Sequence, residues 1–309
     1  MPDVLLRNID STIQADYERF VFNKPFFLSQ FSDLSVQSFY LFNTESQKRK
    51  AEIHFIIHDQ IAYSPWRGSF GSYQISEKLE ESDLLNFHRQ VEISLIELQV
   101  NKIVIRNYPQ VYAPKQAAMV SRLLLSQNYS LLYSDQNYHL NLHVAFEEKL
   151  KQSENNRLRL LSKNGFQSEY WVNPDLEELY QVLMENRSAR GYAMSMDFES
   201  FREMFSTLPG TYYAFRTVYQ QNTIAVAVCV HINSDILYNF YIGELPEYRK
   251  YSPVVGLLKY IHYFARMKNY RTLDLGIASE KGLINAGLAK FKENMGAELS
   301  AKELFEKVI

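Results

Sequence analysis

The densest group of residues able to do chemistry lies in the segment EYRKYSPVVG, residues 247–256. Ser252 is a favoured residue at the start of a helix, and Pro253 is favoured at the first helical position. The first turn of a helix has unpaired N–H groups and a partial positive charge, so it can bind an anion. Arg249 and Lys250 directly precede this start and add positive charge. The segment predicts either an anion site or an ordinary capped helix with solvated basic residues.

Other reactive patterns are weak or missing in the sequence. Cys229 is the single cysteine and lies in an apolar run, which excludes a disulfide framework and favours a buried, unreactive thiol. Two histidine pairs share strand faces (54 and 58, 139 and 143), but no companion ligands complete a metal set. The sequence also lacks a P-loop, a dinucleotide fingerprint and the motifs of serine hydrolases and zinc proteases. We therefore expect no metal and no phosphoryl transfer.

Composition bounds the class of protein. The chain has 309 residues, 46% of them hydrophobic and 22% charged, which predicts packed cores and about two domains. A net charge of -2 argues against a surface built throughout for nucleic acid. The sequence has no apolar run as long as the roughly 18–20 residues of a membrane span, and its start lacks a basic-then-apolar signal pattern. We expect a cytoplasmic protein without a membrane span.

The elements that must position these residues fall into two halves. A polar, helical stretch over 146–164 predicts a boundary between domains at 1–150 and 151–309. In the second half, a hairpin is predicted over 223–243, followed by a loop, a helix over 252–268 and a strand over 272–277. The second half ends in helix, strand, helix and a tail, and the first half ends in helix, strand, helix, strand; this similar order of elements suggests a duplication. The further predicted elements are strands at 36–42, 52–57, 102–106, 129–144 and 167–172, and helices at 82–100, 115–126, 175–189, 198–205 and 283–295.

The series of strand, loop, helix and strand from 237 to 277 resembles the GNAT acyltransferase superfamily. In that fold the loop and helix start hold the diphosphate of acyl-CoA, and the following strand splays away to admit the pantetheine. The usual loop pattern is Arg/Gln-x-x-Gly-x-Gly/Ala, whereas this chain has Ser252 and Val254 at the two small-residue positions. The resemblance implies acetyl-CoA or another acyl-CoA as co-substrate. The implied cofactor-binding residues are Tyr241, Ile242, Arg249, Lys250, Tyr251, Ser252, Val254, Val255 and Gly256.

Four short passages are similar to the two-domain Fem-type branch of that superfamily, which includes peptidoglycan-bridge aminoacyl transferases and acetyltransferase-like relatives. The passages are SPWRGSFG (64–71), NRLRLLSKNG (156–165), SPxxxL (252–257), and DxG (274–276) followed by GLAKFKENMG (287–296). They cover most of the chain. The resemblance implies an α/β (α+β) fold of two tandem GNAT-like domains, each with a mixed, mostly antiparallel central sheet flanked by helices. It assigns the acyl-CoA site to the C-terminal domain.

The same resemblance suggests catalytic residues. Ordinary GNAT enzymes often have an Asn followed by a helix with a tyrosine that protonates the leaving thiolate. Asn285 matches that Asn, and Lys292 stands at the tyrosine position, where it would stabilise an anion or lie as a surface lysine. Asp274 is the best-placed carboxylate to take a proton from the amine, with backbone or Arg271 pairing as its structural alternative. Trp66 and Arg67, in the predicted loop 64–72, would contact substrate or pack.

The leading functional hypothesis is an N-acyltransferase that moves an acyl group from acyl-CoA to an amine acceptor bound in the interdomain cleft. Backbone N–H groups of the strand 237–243 would polarise the thioester, and alternation predicts Asn239 and Tyr241 on one face of it, with Tyr238 on the other. One alternative is a Fem-type transferase using aminoacyl-tRNA and a cell-wall precursor; the lack of a long charged arm disfavours tRNA. Another is a degenerate member that binds a ligand without catalysis. The acceptor is therefore either a small molecule or a cell-wall precursor, and the oligomeric state is unknown.

Overall fold

The computed structural model describes residues 4–8, 13–31 and 33–309. The chain forms two compact units. Unit 1 comprises the described residues up to Gln136 with Ser279–Ile284 and Ser300–Ile309, and unit 2 comprises Asn137–Ala278 and Asn285–Leu299. The boundary predicted between residues 150 and 151 lies inside unit 2. It stays a prediction about domains, because compactness alone does not establish which segment folds independently.

Unit 1 is built around a mixed sheet with the strand order β1-β2-β3-β4-β6-β15. The β4–β6 pair is parallel and the other neighbours are antiparallel; β5 pairs with β3. A short hairpin, β13–β14, forms a separate two-stranded sheet. The elements are β1 Val4–Arg7, α1 Pro25–Leu28, β2 Ser35–Asn43, β3 Lys48–His58, β4 Ile61–Ser64, β5 Gln74–Ile75, α2 Glu81–Glu97, β6 Lys102–Arg106, α3 Pro114–Ser126, the first part of β7 Ser130–Asn141, β13 Ser279–Glu280, β14 Leu283–Ile284 and the end of β15 Glu298–Val308.

The core of unit 1 forms where α2 and α3 bury their apolar stripes against this sheet. Leu84, Val91 and Leu95 recur at helical spacing along α2 and are buried, as the periodicity of the sequence predicts. Strand β6 has the predicted bounds, and its Ile103 and Ile105 are fully buried at alternate positions. Residues two apart on a strand face the same side, so both isoleucines reach the helices.

A cluster of charged side chains is buried beside this core. Glu52 is inaccessible to solvent, and its Oε2 lies 3.1 Å from Arg19 Nε and 3.4 Å from Arg49 Nη1. The Arg49 guanidinium, also buried, lies 4.3 Å from the centre of the Tyr40 ring. His54, one of the histidines considered for a metal, pairs through Nδ1 with Ser38 Oγ at 2.8 Å. The Glu52 carboxylate therefore pairs with two arginines, of which Arg49 is fully buried and Arg19 is partly exposed.

The strands of unit 2 have the order β7-β12-β11-β10-β9-β8 and form a mixed sheet region. Only β11 and β12 are parallel within it. The predicted hairpin is β10–β11, and the predicted helix after it is α8. The elements are α4 Phe146–Lys149, α5 Gln152–Lys163, β8 Gln167–Tyr170, α6 Leu176–Ser188, α7 Phe198–Thr207, β9 Tyr212–Tyr219, β10 Asn222–Asn233, β11 Ile236–Glu244, α8 Pro253–Met267, β12 Thr272–Ile277 and α9 Ala286–Asn294, with the end of β7 and the start of β15.

Two apolar clusters cover the two faces of the unit 2 sheet. One contains the stripe of α8, including Leu257, Leu258 and Ile261, as the sequence predicts. The other contains residues of α6 and α7 packed on alternate residues of β10, such as Val226 and Val228. Side chains that alternate along β10 therefore enter different cores, which explains why its sequence is apolar at every position from 224 to 230.

The predicted fold class is confirmed: helices flank mixed, mostly antiparallel sheets in both units. Two details differ from the sequence-based expectation. The helix expected over 283–295 starts only at Ala286, because Leu283 and Ile284 pair with the preceding strand as β14. The helical stretch 146–164 is divided into α4 and α5. In the described part of the chain, no helix has both the length and the apolarity needed to cross a bilayer.

His262, buried in α8, makes the stability of unit 2 depend on pH. Burial, with a smaller effect of Arg266, lowers its pKa to about 4, while a hydrogen bond to the Val144 backbone and Glu147 oppose this. As pH falls below about 6.5, His262 becomes protonated in the unfolded chain. In the folded chain it stays neutral until about pH 4. We expect the free energy of unfolding to fall by on the order of 3 kcal/mol across that window.

The matched variant is His262→Phe, because the neighbouring Phe146 ring, 5.4 Å away, can pack against another aromatic ring. Urea unfolding at several pH values in a Trp66→Phe background, followed by the fluorescence of Trp171 in unit 2, measures the effect. In the variant, the free energy of unfolding should no longer show the decrease that His262 causes. Its dependence on pH through other groups should stay as in the wild type. An identical pH dependence in both proteins would contradict the prediction.

Candidate active site

The parallel strands β11 and β12 separate part of the way along their length. They are paired at Ile236–Thr272, Leu237–Leu273 and Tyr238–Asp274. Beyond these pairs, β11 continues to Glu244 beside β10, and β12 continues to Ile277 beside β7. Over these described residues the two strands are no longer paired with each other. The result is a fork that opens after Tyr238 and Asp274, here called the β11–β12 fork. It leaves backbone groups of β11 without a strand partner on that side.

The corresponding parallel pair of unit 1 has no fork. β4 is paired with β6 at all four of its residues, from Ile61–Lys102 to Ser64–Ile105. Backbone donors and acceptors between these strands are therefore used by the sheet itself. Of the two parallel pairs in the described residues, only the one in unit 2 offers a free strand edge.

A β-bulge marks the start of the fork on β11. Val228 of β10 lies opposite Tyr241 and Cys229 lies opposite Asn239, so Phe240 is an extra residue. The prediction that Asn239 and Tyr241 share a face is wrong, because the inserted residue reverses the alternation. Tyr241 packs in the cluster with α6 and α7, whereas Asn239 contacts Cys229, which belongs to the α8 cluster. A bulge bends its strand, which accounts for part of the divergence.

A second irregularity lies on the β12 side of the fork and binds Lys292. Asp274 pairs with His139 of β7 and Ile277 with Asn137, so two residues of β12 face one residue of β7. Gly276 lies in this bulge with a φ of +74°, a conformation that favours glycine. The buried Lys292 ammonium group donates hydrogen bonds to the carbonyl oxygens of Gly276, at 2.9 Å, and Ile277, at 2.8 Å. The positive charge is thereby held at the part of β12 that has left β11.

Asp274, the carboxylate predicted from sequence as a base, is buried at the base of the fork. Its Oδ1 accepts hydrogen bonds of 2.8 Å from Asn137 Nδ2 and from the N–H of Gly276. These two bonds tie the strand end of β12 to β7 and shape the Gly276 turn. The carboxylate is thus linked through Gly276 to the carbonyl that binds Lys292.

Asn285 lies at the start of α9, the helix that carries Lys292. Its Oδ1 accepts a hydrogen bond of 3.0 Å from the N–H of Leu288, and the residue is exposed. This is an N-cap interaction, which stabilises the first turn of the helix. Asn285 and Lys292 are therefore placed by the same helix, with Asn285 at its exposed start.

The start of α8 differs from the sequence-based expectation in how it is capped. Ser252 is the residue before the helix, as predicted, but it is left-handed with a φ of +56° and its side chain does not cap the helix. This conformation is the one glycine adopts most readily, at the loop position where the family pattern has glycine. The N–H of Val254, in the first turn, instead interacts with the carboxylate of Glu244.

The other predicted cofactor residues surround this helix start or lie on β11. Lys250 and Arg249 are exposed, and the Lys250 ammonium lies 5.0 Å from the centre of the Tyr251 ring. Tyr241 is buried, bonds through its hydroxyl to Ser195 Oγ, and burial raises its pKa. Three further predicted cofactor residues pack on the α8 side of the sheet, namely Ile242, Val255 and Gly256. Gly256 lies against Leu161.

Trp66 and Arg67, predicted to bind substrate, lie in unit 1, whereas the other predicted site residues lie in unit 2. The Trp66 ring packs against His58 and Tyr63, with centroid distances of 4.9 and 5.0 Å. Arg67 is exposed. The loop is folded back on itself, because the N–H of Ser72 donates to Ser64 Oγ at 2.9 Å. Within the described residues, no group of three or more His, Cys, Asp or Glu side chains could hold a metal ion.

Sequence reasoning missed two features of this region. The bulge at Phe240 has no local signal, because an aromatic residue is equally typical of a regular strand. The sequence pattern predicts only a loop at Glu244. In the structure Glu244 is an acidic residue at the end of β11, and the chain continues from there to the start of α8. An acid near a helix N-terminus is a recognisable signal. Its burial is visible only in the folded chain.

Comparison with known proteins supports the fold. No protein-family model and no curated protein matches the sequence. Among solved structures, FemX has 11% sequence identity and a TM-score of 0.74, over 94% of this chain and 92% of that one. The C-terminal domain of a protein described as a lysylphosphatidylglycerol synthetase, from Agrobacterium fabrum, has 11% identity and a TM-score of 0.58, over 87% of this chain and 84% of that one.

A third structure, a tandem GNAT protein from the clavulanic acid biosynthesis pathway, has 9% identity and a TM-score of 0.53, over 89% of this chain and 83% of that one. At such low identity these likenesses establish the fold rather than the reaction. The chain has the fold of the GNAT superfamily in its Fem-like form.

Proposed function

We propose that this protein transfers an acyl group to an amine, with the acyl carbonyl held in the β11–β12 fork. The observation that carries the proposal is the fork itself: pairing stops at Tyr238–Asp274 while both strands continue. A carbonyl group placed along the free edge of β11 would accept hydrogen bonds from its unpaired N–H groups. Such donors stabilise the oxyanion that forms when an amine attacks.

The reaction needs a defined set of changes at the carbonyl carbon. A C–N bond forms to the amine, and the C–S bond of a thioester or the C–O bond of an ester breaks. The amine gives up a proton, and the leaving sulfur or oxygen gains one. Lys292 is proposed to stabilise the negative charge on the oxyanion or leaving group, because its ammonium is fixed on the β12 side of the fork.

Asp274 is proposed to position rather than to touch the substrate. It is buried, and its Oδ1 binds the N–H of Gly276, whose carbonyl binds Lys292. Loss of the carboxylate would therefore act through the location of the lysine. Asn285 supports the same lysine by capping its helix.

Two donor classes are compatible with this chemistry. Acyl-CoA is the donor expected from the GNAT resemblance, and one structural neighbour is described as a tandem GNAT protein without AcCoA. Aminoacyl-tRNA is the alternative expected from the Fem-type resemblance, with a cell-wall precursor as acceptor. The high structural similarity to FemX over 94% of this chain supports keeping that alternative.

A transfer assay with both donor classes tests the proposal. The protein is incubated with labelled acetyl-CoA or a labelled aminoacyl-tRNA pool, together with a panel of small amines and a UDP-linked peptide precursor. We expect an acceptor to gain the acyl mass, and the donor class to be identified by the label. Donor hydrolysis without any acylated acceptor, or no donor consumption in any arm, would refute amine acylation.

A further inference from the structure

At the start of α8 in unit 2, a carboxylate of the protein itself lies where an external anion would bind. Glu244 is the last residue of β11, and only 7% of its side chain is exposed. Its carboxylate interacts with the N–H of Val254 in the first turn of α8. Its second oxygen, Oε2, is buried and has no hydrogen-bond partner. A charged oxygen without a partner is unusual inside a protein, since burial removes its hydration.

Positive charges surround this carboxylate without bonding to it. Arg190 Nη2 and Arg249 Nε each lie 3.9 Å from Glu244 Oε1, which is longer than a hydrogen bond. Arg157 of α5 contributes a further attraction. Both Arg190 and Arg249 remain about half exposed, at 47% and 44% of their side chains. A helix start with two accessible guanidinium groups is the kind of environment that binds phosphate.

Few backbone donors remain at this helix start. Pro253 has no N–H, and the N–H of Val255 donates to the carbonyl of Ser252 at 3.0 Å. The N–H of Val254 is the first that points away from the chain's own backbone, and Glu244 takes it. A phosphate oxygen arriving here would compete with the carboxylate for that donor and be repelled by its charge.

Burial of Glu244 disfavours its charged form. Burial, the largest effect, raises the pKa of this carboxyl, although the Val254 N–H and Arg190, Arg249 and Arg157 lower it. Ionised Glu244 is therefore disfavoured in the folded protein relative to water. A glutamine of the same shape should be tolerated at least as well.

We propose that the Glu244 carboxylate occupies an anion site at the start of α8, excludes phosphate groups from it, and when neutralised leaves a site that binds diphosphate. The consequence for the choice of acyl donor rests on the proposed acyl transfer. With Glu244 charged, the start of α8 would not bind the diphosphate group of a donor such as acyl-CoA. The binding claim itself is independent of any activity.

The test compares Glu244→Gln with the wild-type protein and with Glu247→Gln. The control removes the same charge from an exposed residue of the same loop. Isothermal titration with sodium pyrophosphate and with CoA, at fixed ionic strength, measures the dissociation constants. We expect Glu244→Gln to bind both ligands at least about tenfold more tightly than the other two proteins, which is about 1.4 kcal/mol. Its thermal midpoint should be equal to or above that of the wild type.

A second arm measures the pH dependence of sulfate binding by the wild-type protein, with Glu244→Gln as the reference. The charged groups facing Glu244 are Arg157 from α5, Arg190 from the segment after α6 and Arg249 from the loop before α8, and arginines stay charged at all accessible pH values. Sulfate also keeps its charge between about pH 5 and about pH 8. Because the pKa of Glu244 is raised, sulfate affinity should increase towards pH 5 in the wild type and be flat in Glu244→Gln.

Three results would overturn the proposal. One is tight CoA or pyrophosphate binding by the wild type, equal to that of the variant. Another is the absence of binding to Glu244→Gln, and the third is equal binding by Glu247→Gln. Failure of the transfer assay with a clear gain of pyrophosphate affinity in Glu244→Gln would count only against the proposed function. Activity without that gain would count only against the role of Glu244.

Discussion

Replacing Lys292 by methionine should lower the rate constant of acyl transfer by about 10²–10³-fold. The side chain keeps its length and most of its packing, but the fixed positive charge beside the fork is lost. Because that charge is proposed to act on the oxyanion or leaving group, kcat should fall while KM changes little. Arginine at the same position should restore part of the rate, since it keeps the charge but not the compact ammonium geometry.

The matched control is Lys290→Met, two residues away on α9 and so on a different face of the helix, where the lysine is exposed and pairs with Glu293. It should be as active as the wild type. Lys292→Met also leaves the carbonyls of Gly276 and Ile277 without their donor, so its thermal unfolding must be measured in parallel. Full kcat in a folded Lys292→Met protein would show that the charge is structural. A rise in KM alone would assign it to substrate binding.

Replacing Glu52 by leucine should destabilise unit 1 by roughly 3–5 kcal/mol. The variant removes the carboxylate that pairs with Arg19 and with the almost fully buried Arg49. An uncompensated buried charge is much more costly than a missing apolar contact. This is a large fraction of the stability of a typical domain, about 5–15 kcal/mol. The expected result is a protein that is partly unfolded at temperatures where the wild type is folded.

The two tryptophans allow this effect to be assigned to one unit. Trp66 lies in unit 1 and Trp171 in unit 2. In a Trp171→Phe background, tryptophan fluorescence during urea unfolding therefore reports on unit 1 alone. Glu97→Leu, at an exposed position at the end of α2, is the control and should change stability little. Arg49→Met combined with Glu52→Leu should recover most of the loss. Equal stability of Glu52→Leu and the control would mean that the arginines do not depend on Glu52.

Several parts of this molecule follow from local patterns in the sequence. The stripe of α8, the strand 102–106 and the β10–β11 hairpin were predictable because each depends on residues close together in the chain. The position of Pro253 at the first turn of α8 was predictable for the same reason. The bounds of such elements come from periodicity and from residues that start or stop helices.

The candidate site was only partly predictable. The sequence indicated the helix start, Asp274 and Lys292, through a resemblance carried by short motifs. It did not indicate that Lys292 binds the carbonyls of Gly276 and Ile277 or that Glu244 lies at the helix start. Both facts depend on strand pairings and on side-chain directions that the motifs do not encode. The failed alternation of Asn239 and Tyr241 has the same origin, since one bulge reverses a period of two.

The sequence by itself therefore determined the class of fold, the principal helices and strands, and the segment where an anion would be sought. The tertiary structure decided whether that segment is open. Pairing between β11 and β12 joins residues far apart in the chain, and where it stops is set by bulges on both strands. The charge of Glu244 is visible in the sequence, but its burial among Arg157, Arg190 and Arg249 arises only when three separate segments pack together. Electrostatic energy depends on distance in space and on exposure to water, and neither is a property of sequence spacing.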